Sequence, residues 1–252
     1  MSIMNNMVLI SGQPYQRGSI LSSDEQPIKT ISLSPFFMDI HPVLNKDYRV
    51  FIEQGGYSEP SYWSTTGFKF IQENHITEPL YWNDPNWNGD KKPVTGISWY
   101  EAQAFACFVG KELPTESQWE YAAKGNDNRM YPWGNTEPDL NIANFAPDCE
   151  PVEFNRSSTD WDAHPQNRSP FGCIDMGGNL AEWCLDNYLP NYAWDDNHVD
   201  PLCILDISFD HVVRGGSGLH DENYMRSTSR DNYPPTVRDN IVGFRCVKNI
   251  TE

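Results

Sequence analysis

Positive charge is scarce in this sequence. Its 252 residues carry 18 Lys+Arg against 35 Asp+Glu, a formal net charge of −17. A phosphate backbone is held by clustered cations that release counterions, so no nucleic-acid partner is expected, and no docking on an anionic membrane. Long apolar runs are missing too. No stretch approaches the roughly 18 consecutive apolar residues of a membrane span. The opening MSIMNNMVLISGQPYQRGS has no basic region followed by a long apolar one, so a soluble, cytoplasmic protein is expected. The cysteines Cys107, Cys149, Cys173, Cys184, Cys203 and Cys246 are too sparse for a disulfide-dense scaffold. None stands in a CxxC pair, which excludes a conventional zinc ribbon, and His41, His75, His164, His198 and His211 show no HxH or HxxxH spacing.

Aromatic residues, by contrast, reach 13%. Burial of such rings offsets chain entropy, so the chain is not disordered. The 19 Pro and 17 Gly are spread without a repeat, which predicts many turns and irregular loops around a small regular scaffold rather than a helical bundle. No change of composition marks a boundary, and a single domain over 1–252, with its core at about 7–248, is expected.

Local signals fix several elements. Runs 7–10 and 30–40 read as short strands, and 211–217 and 240–247 as closing strands, with the N- and C-terminal strands paired in a common sheet. Residues 44–56 read as a helix with Asn45 as cap, Tyr48, Phe51 and Ile52 on one face and Gly55 as its stop. The Trp/Tyr/Pro/Asn-rich stretch 57–92 has no period and reads as a long structured loop. Ser98 with Glu101 makes a capping box, and Ala102, Phe105, Ala106 and Val109 line the helix that Gly110 ends. Thr115 and Gln118 open a second helix, with Trp119, Ala122 and Ala123 facing inward. Trp119 and Trp183 are expected in the core.

The ordered segments PVTGISWYEAQAF, GKELPTESQWEYAAKG, YPWGN, DMGGNLAEW, VVRGGS and GFRC resemble the formylglycine-generating enzyme, or sulfatase-modifying factor, family. That family also includes the C-terminal domain of ergothioneine-pathway sulfoxide synthases and a pyoverdine-maturation protein. The resemblance implies an α+β, C-type-lectin-like fold of low regular secondary structure and many loops. It also implies a chemistry: two cysteines between the RGGS and GFR motifs bind copper(I) as thiolates, the soft ligands that ion prefers. This chain has no cysteine between Ser217 and Cys246, and His220 falls where the first would sit, with the second at about Glu222. Copper and formylglycine generation are therefore not expected, unless a thiol comes from Cys203 or Cys184. If the chain is an oxidoreductase, His220, Asp221 and Glu222 are the candidate catalytic groups. As metal ligands they are poor candidates, because adjacent residues on an extended loop point in different directions.

Calcium is the cofactor the resemblance implies. Its structural site would use the carboxylates of Asp175 and Glu182 with the carbonyls of Gly178 and Leu180, and a second would use Asn144, the Phe145 carbonyl and an acid such as Glu153. Oxygen donors on a tight turn suit this hard cation. Cys246 matches a family cysteine that pairs in some members with one in the first long helix. Cys107 lies one residue too late for that bridge, about 100° around the helix, so reduced cysteines are expected. Arg226, Arg230, Arg238 and Arg245 are interleaved with Asn223, Tyr224, Asp231, Asn232, Tyr233, Asp239 and Asn240. The arginines are expected to be buried and hydrogen-bonded within the fold. Tyr224 and Tyr233, with His220 and Asp221, are expected to line a pocket.

Two functions follow. One is a calcium-stabilised, lectin-like scaffold that binds a peptide, protein or small-molecule ligand through its loop face at about 217–240. The alternative is an oxidase- or oxygenase-type enzyme that modifies a peptide or an amino-acid-derived metabolite in the same cleft.

Overall fold

The computed structural model describes residues 6–127, 129–147, 158–193 and 198–250. Strand β1 (Met7–Ile10) pairs antiparallel with a later strand over Phe36–Asp39, which itself pairs with the strand Val247–Asn249. These are β4 and β9 in chain order, and they bring both ends of the chain into one sheet, as the sequence implies. Between them, β2 (Tyr15–Arg17) and β3 (Lys29–Ile31) form a separate hairpin. A four-stranded sheet has the order β7-β6-β5-β8, with β5 at Ala181–Asn187, β6 at His211–Arg214, β7 at Asp231–Tyr233 and β8 at Val242–Gly243. Only the β5–β8 pairing is parallel in that sheet. The fold is α+β, with short elements and long connections.

Four helices occur among the described residues: α1 (Asn45–Glu53), α2 (Thr65–Glu73), α3 (Trp99–Phe108) and α4 (Glu116–Lys124). Both capping boxes form. The Glu101 N–H donates to Ser98 Oγ (3.2 Å) while Glu101 Oε2 accepts the Ser98 N–H (2.8 Å), and Thr115 with Gln118 repeats the exchange at 3.1 and 3.0 Å. Each such cap is worth about 1 kcal/mol, so both helix starts are fixed locally.

Two local expectations are corrected. Asn45 is not the cap of α1; Leu44 holds that position without a side-chain bond. The Asn45 amide is buried instead, and its Nδ2 donates to the carbonyls of Trp87 (2.8 Å) and Gly89 (3.0 Å), tying the helix to the following loop. Nor is 57–92 all loop. Ser64 caps α2 by accepting the Gly67 N–H at 3.1 Å. Its first turn, Thr65-Thr66-Gly67, has weak helix propensity, so the period is hidden in the sequence. The helix is held by packing: a side chain on Gly67 would come within 3.0 Å of Tyr100 on α3.

Aromatic rings dominate the core around α1 and α3. Tyr48 stacks on Phe105 at 5.2 Å between centroids, and Phe51 and Phe244 meet Phe105 edge-on at 5.9 and 5.5 Å. Trp119 and Trp183 are fully buried, as expected. Helix α4 exceeds the one-faced reading, because all nine of its residues are buried, including Glu116, Glu120 and Lys124. Charges at such depth need partners, and the C-terminal segment supplies them.

Candidate functional site

Each arginine of the C-terminal segment is spent on a buried glutamate from earlier in the chain. Arg230 Nε and Nη2 donate to Glu116 (2.6 and 3.0 Å), and Arg245 Nε and Nη2 donate to Glu182 (both 2.7 Å). Arg238 donates to Glu101 (2.9 and 3.2 Å) and Arg226 to Glu25 (2.7 and 3.1 Å). Arg214, at the end of β6, bridges Glu116 and Glu120 at 2.9 Å each. Burial alone would raise the Glu116 carboxyl, but Arg230 and Arg214 prevail and hold it down at about 2. The guanidinium groups are therefore internal fasteners, and the loop face they pin is left to its other side chains.

That face begins where β6 ends at Gly215 and Gly216. Gly216 sits at φ +66°, and a Cβ there would lie 2.8 Å from Tyr224 Cβ, so the turn and the close approach both require glycine. Beyond it, the Ser217 N–H donates to His220 Nδ1 at 3.1 Å, which places the ring proton of neutral His220 on Nε2. The ring stacks on Tyr224 at 4.5 Å and 18°. Burial pulls His220 below the usual imidazole range, although Asp231 and Asp221 act in the opposite sense. His220, Tyr224, Ser229, Arg230 and Asp231 wall a shallow recess floored by the glycine pair, with room for about one water molecule.

The structure thus brings His220 and Tyr224 together. Asp221 is used otherwise: its Oδ1 accepts the Asn223 N–H at 2.8 Å and starts the 3-10 turn Glu222–Met225. Tyr233, expected at the pocket, does not line the recess; its ring is edge-on to Trp183 at 6.3 Å and its hydroxyl is 3.5 Å from Asp231. Burial raises the Tyr233 hydroxyl, and Asp231 adds to the effect. Asp231 is the residue that sequence reasoning passed over. Its signal was its place beside Arg230, whose burial fixes where its neighbour points.

The turn Asp175–Asn179 holds the residues singled out for calcium. Asp175 and Asn179 adopt φ of 56° and 67°, and Gly178 has φ +84° with Asn144 O 2.6 Å from where its Cβ would be. Asp175 Oδ2 accepts from Asn179 Nδ2 at 3.0 Å, while its Oδ1 is buried without a hydrogen-bond partner. Burial pushes this carboxyl up to about 7, against the Asn179 hydrogen bond and Arg245. The unpartnered oxygen suits a cation. Glu182 is paired with Arg245, which donates to both its oxygens, and Trp119 Nε1 donates to Oε2 at 2.8 Å, leaving one lone pair on Oε1. Asn144 and the Phe145 carbonyl stand on the neighbouring segment, with Asn144 O accepting the Asn179 N–H at 2.8 Å. Glu153 lies outside the described residues. No group of three or more His, Cys, Asp and Glu that could hold a metal occurs among the described residues.

The thiols are dispersed. Cys173, Cys184, Cys203 and Cys246 are buried and Cys107 is exposed on α3; Cys107, Cys173, Cys184 and Cys246 are free thiols. Burial pushes Cys173 up to about 11, and Cys184 and Cys246 well above the ordinary thiol. A thiol so disfavoured as thiolate is a poor ligand for copper(I). None of the five lines the recess.

The sulfatase-modifying factor enzyme 1-like domain matches residues 2–250. The serine/threonine-protein kinase pkn1 of Chlamydia pneumoniae is 32% identical over 98% of this chain, which spans 38% of that protein's length. The formylglycine-generating enzyme of Thermomonospora curvata is 28% identical, over 97% of this chain and 93% of the enzyme. The solved structure of PvdO from Pseudomonas aeruginosa superposes with a TM-score of 0.77 at 17% identity, over 99% and 97% of the two chains. Among the described residues, no helix is long and apolar enough to cross a membrane.

Proposed function

This chain belongs to the sulfatase-modifying factor enzyme 1-like family, and on that premise we propose that it is a diverged member that binds a ligand instead of oxidising one. The observation that carries this reading is the content of the loop after β6: a stacked His220–Tyr224 pair with Asp231, and no cysteine, where the family keeps its oxygen-activating thiols. The recess has room for about one water molecule, so a peptide, protein or small molecule would lie across the 217–240 face and not enter it. Tyr224, 37% exposed, offers an amphipathic ring there at low entropy cost. Asp221, Glu222 and Asp231 make the face acidic and favour ligands that are not anionic.

Calcium is part of the same reading, as a structural ion at the Asp175 turn, supported by the buried Asp175 Oδ1 that lacks a donor. A cytoplasmic location is supported by the free thiols of Cys107, Cys173, Cys184 and Cys246.

The alternative, an oxidase- or oxygenase-type enzyme in the same cleft, draws on relatives such as the hercynine oxygenase of Mycolicibacterium smegmatis, 28% identical over 96% of this chain. One experiment tests whether the family's cysteine oxidation has been lost. Purified protein is incubated with copper(I), dioxygen and a cysteine-containing peptide, and the peptide is weighed by mass spectrometry. Recovery with the thiol intact is expected; enzyme-dependent formation of an aldehyde at the cysteine overturns the binding reading.

A further inference from the structure

A cleft separate from the recess lies at the C-terminal end of α3; the two share no residue. We propose that it is a second binding site, for a small arylalkyl amine in its cationic form. Its space of about 560 Å³ falls within the roughly 300–1,000 Å³ of pockets that hold small molecules. Its walls are fixed by bonds within the fold. Gly110, at φ +66°, ends α3 and turns the chain back, so that the Lys111 N–H donates to Ala106 O at 2.8 Å. Glu112 then exchanges N–H···O bonds of 2.9 and 2.8 Å with Val247 of β9. A second wall is the 3-10 turn Pro60–Tyr62 with Trp63 after it. Trp63 Nε1 donates to Gly56 O at 2.8 Å, and the Tyr62 ring meets Phe108 edge-on at 5.4 Å. Leu113 and Leu185 add apolar lining, and the exposed Cys107 thiol stands among these groups, 3.9 Å from Ser61 O.

The lining carries two charges, and the fold answers one of them. Lys111 Nζ lies 2.5 Å from Asp39 Oδ1, with side-chain exposures of 10% and 9%, so its charge is spent. Glu112 is exposed, and its Oε2 accepts from a neutral amide, Asn249 Nδ2, at 3.2 Å. No Lys or Arg pairs with it among the described residues. A carboxylate without a counter-charge, beside the rings of Tyr62 and Trp63, selects a cation with an apolar body: the ammonium is drawn to the carboxylate and to the ring faces, while the apolar part displaces water from Leu113 and Leu185. The net charge of −17 adds attraction for a cation and repels a carboxylate or phosphate ligand.

Cys107 supplies the readout, because a ligand in the cleft shields its thiol. The full chain is alkylated with iodoacetamide, an uncharged reagent, and the Cys107 peptide is followed by mass spectrometry in the presence of phenethylamine, 2-phenylethanol or 3-phenylpropionate, three probes with one arylethyl body and a positive, neutral or negative head. Free cysteine under the same conditions gives the reference rate. Phenethylamine is expected to slow Cys107 alkylation saturably, 2-phenylethanol to do so only at higher concentration, and 3-phenylpropionate not at all. Glu112→Gln, an exposed substitution, is expected to keep the melting temperature and the 2-phenylethanol curve while weakening phenethylamine about threefold, the scale of a partly exposed ion pair. Protection by none of the probes overturns the site. Protection by 3-phenylpropionate equal to that by phenethylamine, or a phenethylamine curve unmoved by Glu112→Gln, overturns the assignment of a cationic ligand.

Discussion

Arg230 grips Glu116 through two parallel hydrogen bonds of 2.6 and 3.0 Å, joining the segment before β7 to the first turn of α4. Both side chains are almost completely buried, and Arg214 and the Tyr192 hydroxyl reach the same carboxylate at 2.9 and 3.0 Å. The guanidinium of Arg230 also lies over the Tyr192 ring at 4.3 Å. The Arg230 wall of the recess of His220, Tyr224 and Asp231 is therefore charged but internally neutralised.

Breaking that pair strands a buried charge, which typically costs 3–5 kcal/mol, about half the stability of many domains. Glu116→Gln is expected to lower stability by about that much in urea denaturation. A loss below about 1 kcal/mol would show the pair to be dispensable.

His211 gives the fold a weakness to acid. Its ring stacks on Trp99 at 3.9 Å; Nδ1 donates to Leu185 O (3.2 Å) and Nε2 accepts from Asn187 Nδ2 (3.3 Å). Burial lowers this imidazole to about 4 from an ordinary 6.5, so the unfolded chain binds the proton first. Stability from the neutral ring is complete above pH 6.5 and declines by about 3 kcal/mol as pH falls toward 4. His211→Phe, which keeps the stack, is expected to flatten that slope in urea midpoints taken from pH 7 to pH 4. An unchanged slope would assign the acid sensitivity elsewhere.

Asp186 acts in the opposite direction. Burial, reinforced by Glu116, pushes it up to about 7 from 3.8, against hydrogen bonds from the Glu116 and Cys203 N–H groups. The folded protein keeps this proton longer than the unfolded chain, so the contribution is full below pH 3.8 and is lost as pH rises to about 7. Asp186→Asn should therefore gain on the wild type between pH 4 and pH 7.5. A constant difference across that range would mean that the carboxyl is ionised throughout.

Thiol reactivity follows burial. In a Cys149→Ser background, Cys107 alone is expected to react rapidly with an aromatic disulfide reagent. Cys173, Cys184, Cys203 and Cys246 should react only on unfolding. A second fast thiol, abolished by Cys203→Ser or Cys184→Ser, would reopen the question of a thiolate near the cleft.

Much of this was legible from local chemistry. Ser98–Glu101 and Thr115–Gln118 declare their helices because capping is written in residues three apart, and the motif order carries the α+β fold. The signals that failed are those decided at long range. Asn45 resembles a cap until Trp87 and Gly89 claim its amide, and α2 depends on a glycine fitted against Tyr100. Nor does any local signal show that Arg245, 63 residues later, pairs with Glu182. Asp231 was one polar residue among many until the burial of Arg230 fixed its place at the recess.

The most direct measurement is saturation-transfer NMR of the purified chain against a pool of free amino acids and tripeptides, repeated with His220→Ala and Tyr224→Ala. Transfer to particular members of the pool, lost in both variants while their melting temperatures hold, is the predicted result. No transfer in the wild type, or transfer unchanged in the variants, would contradict a binding recess at His220 and Tyr224.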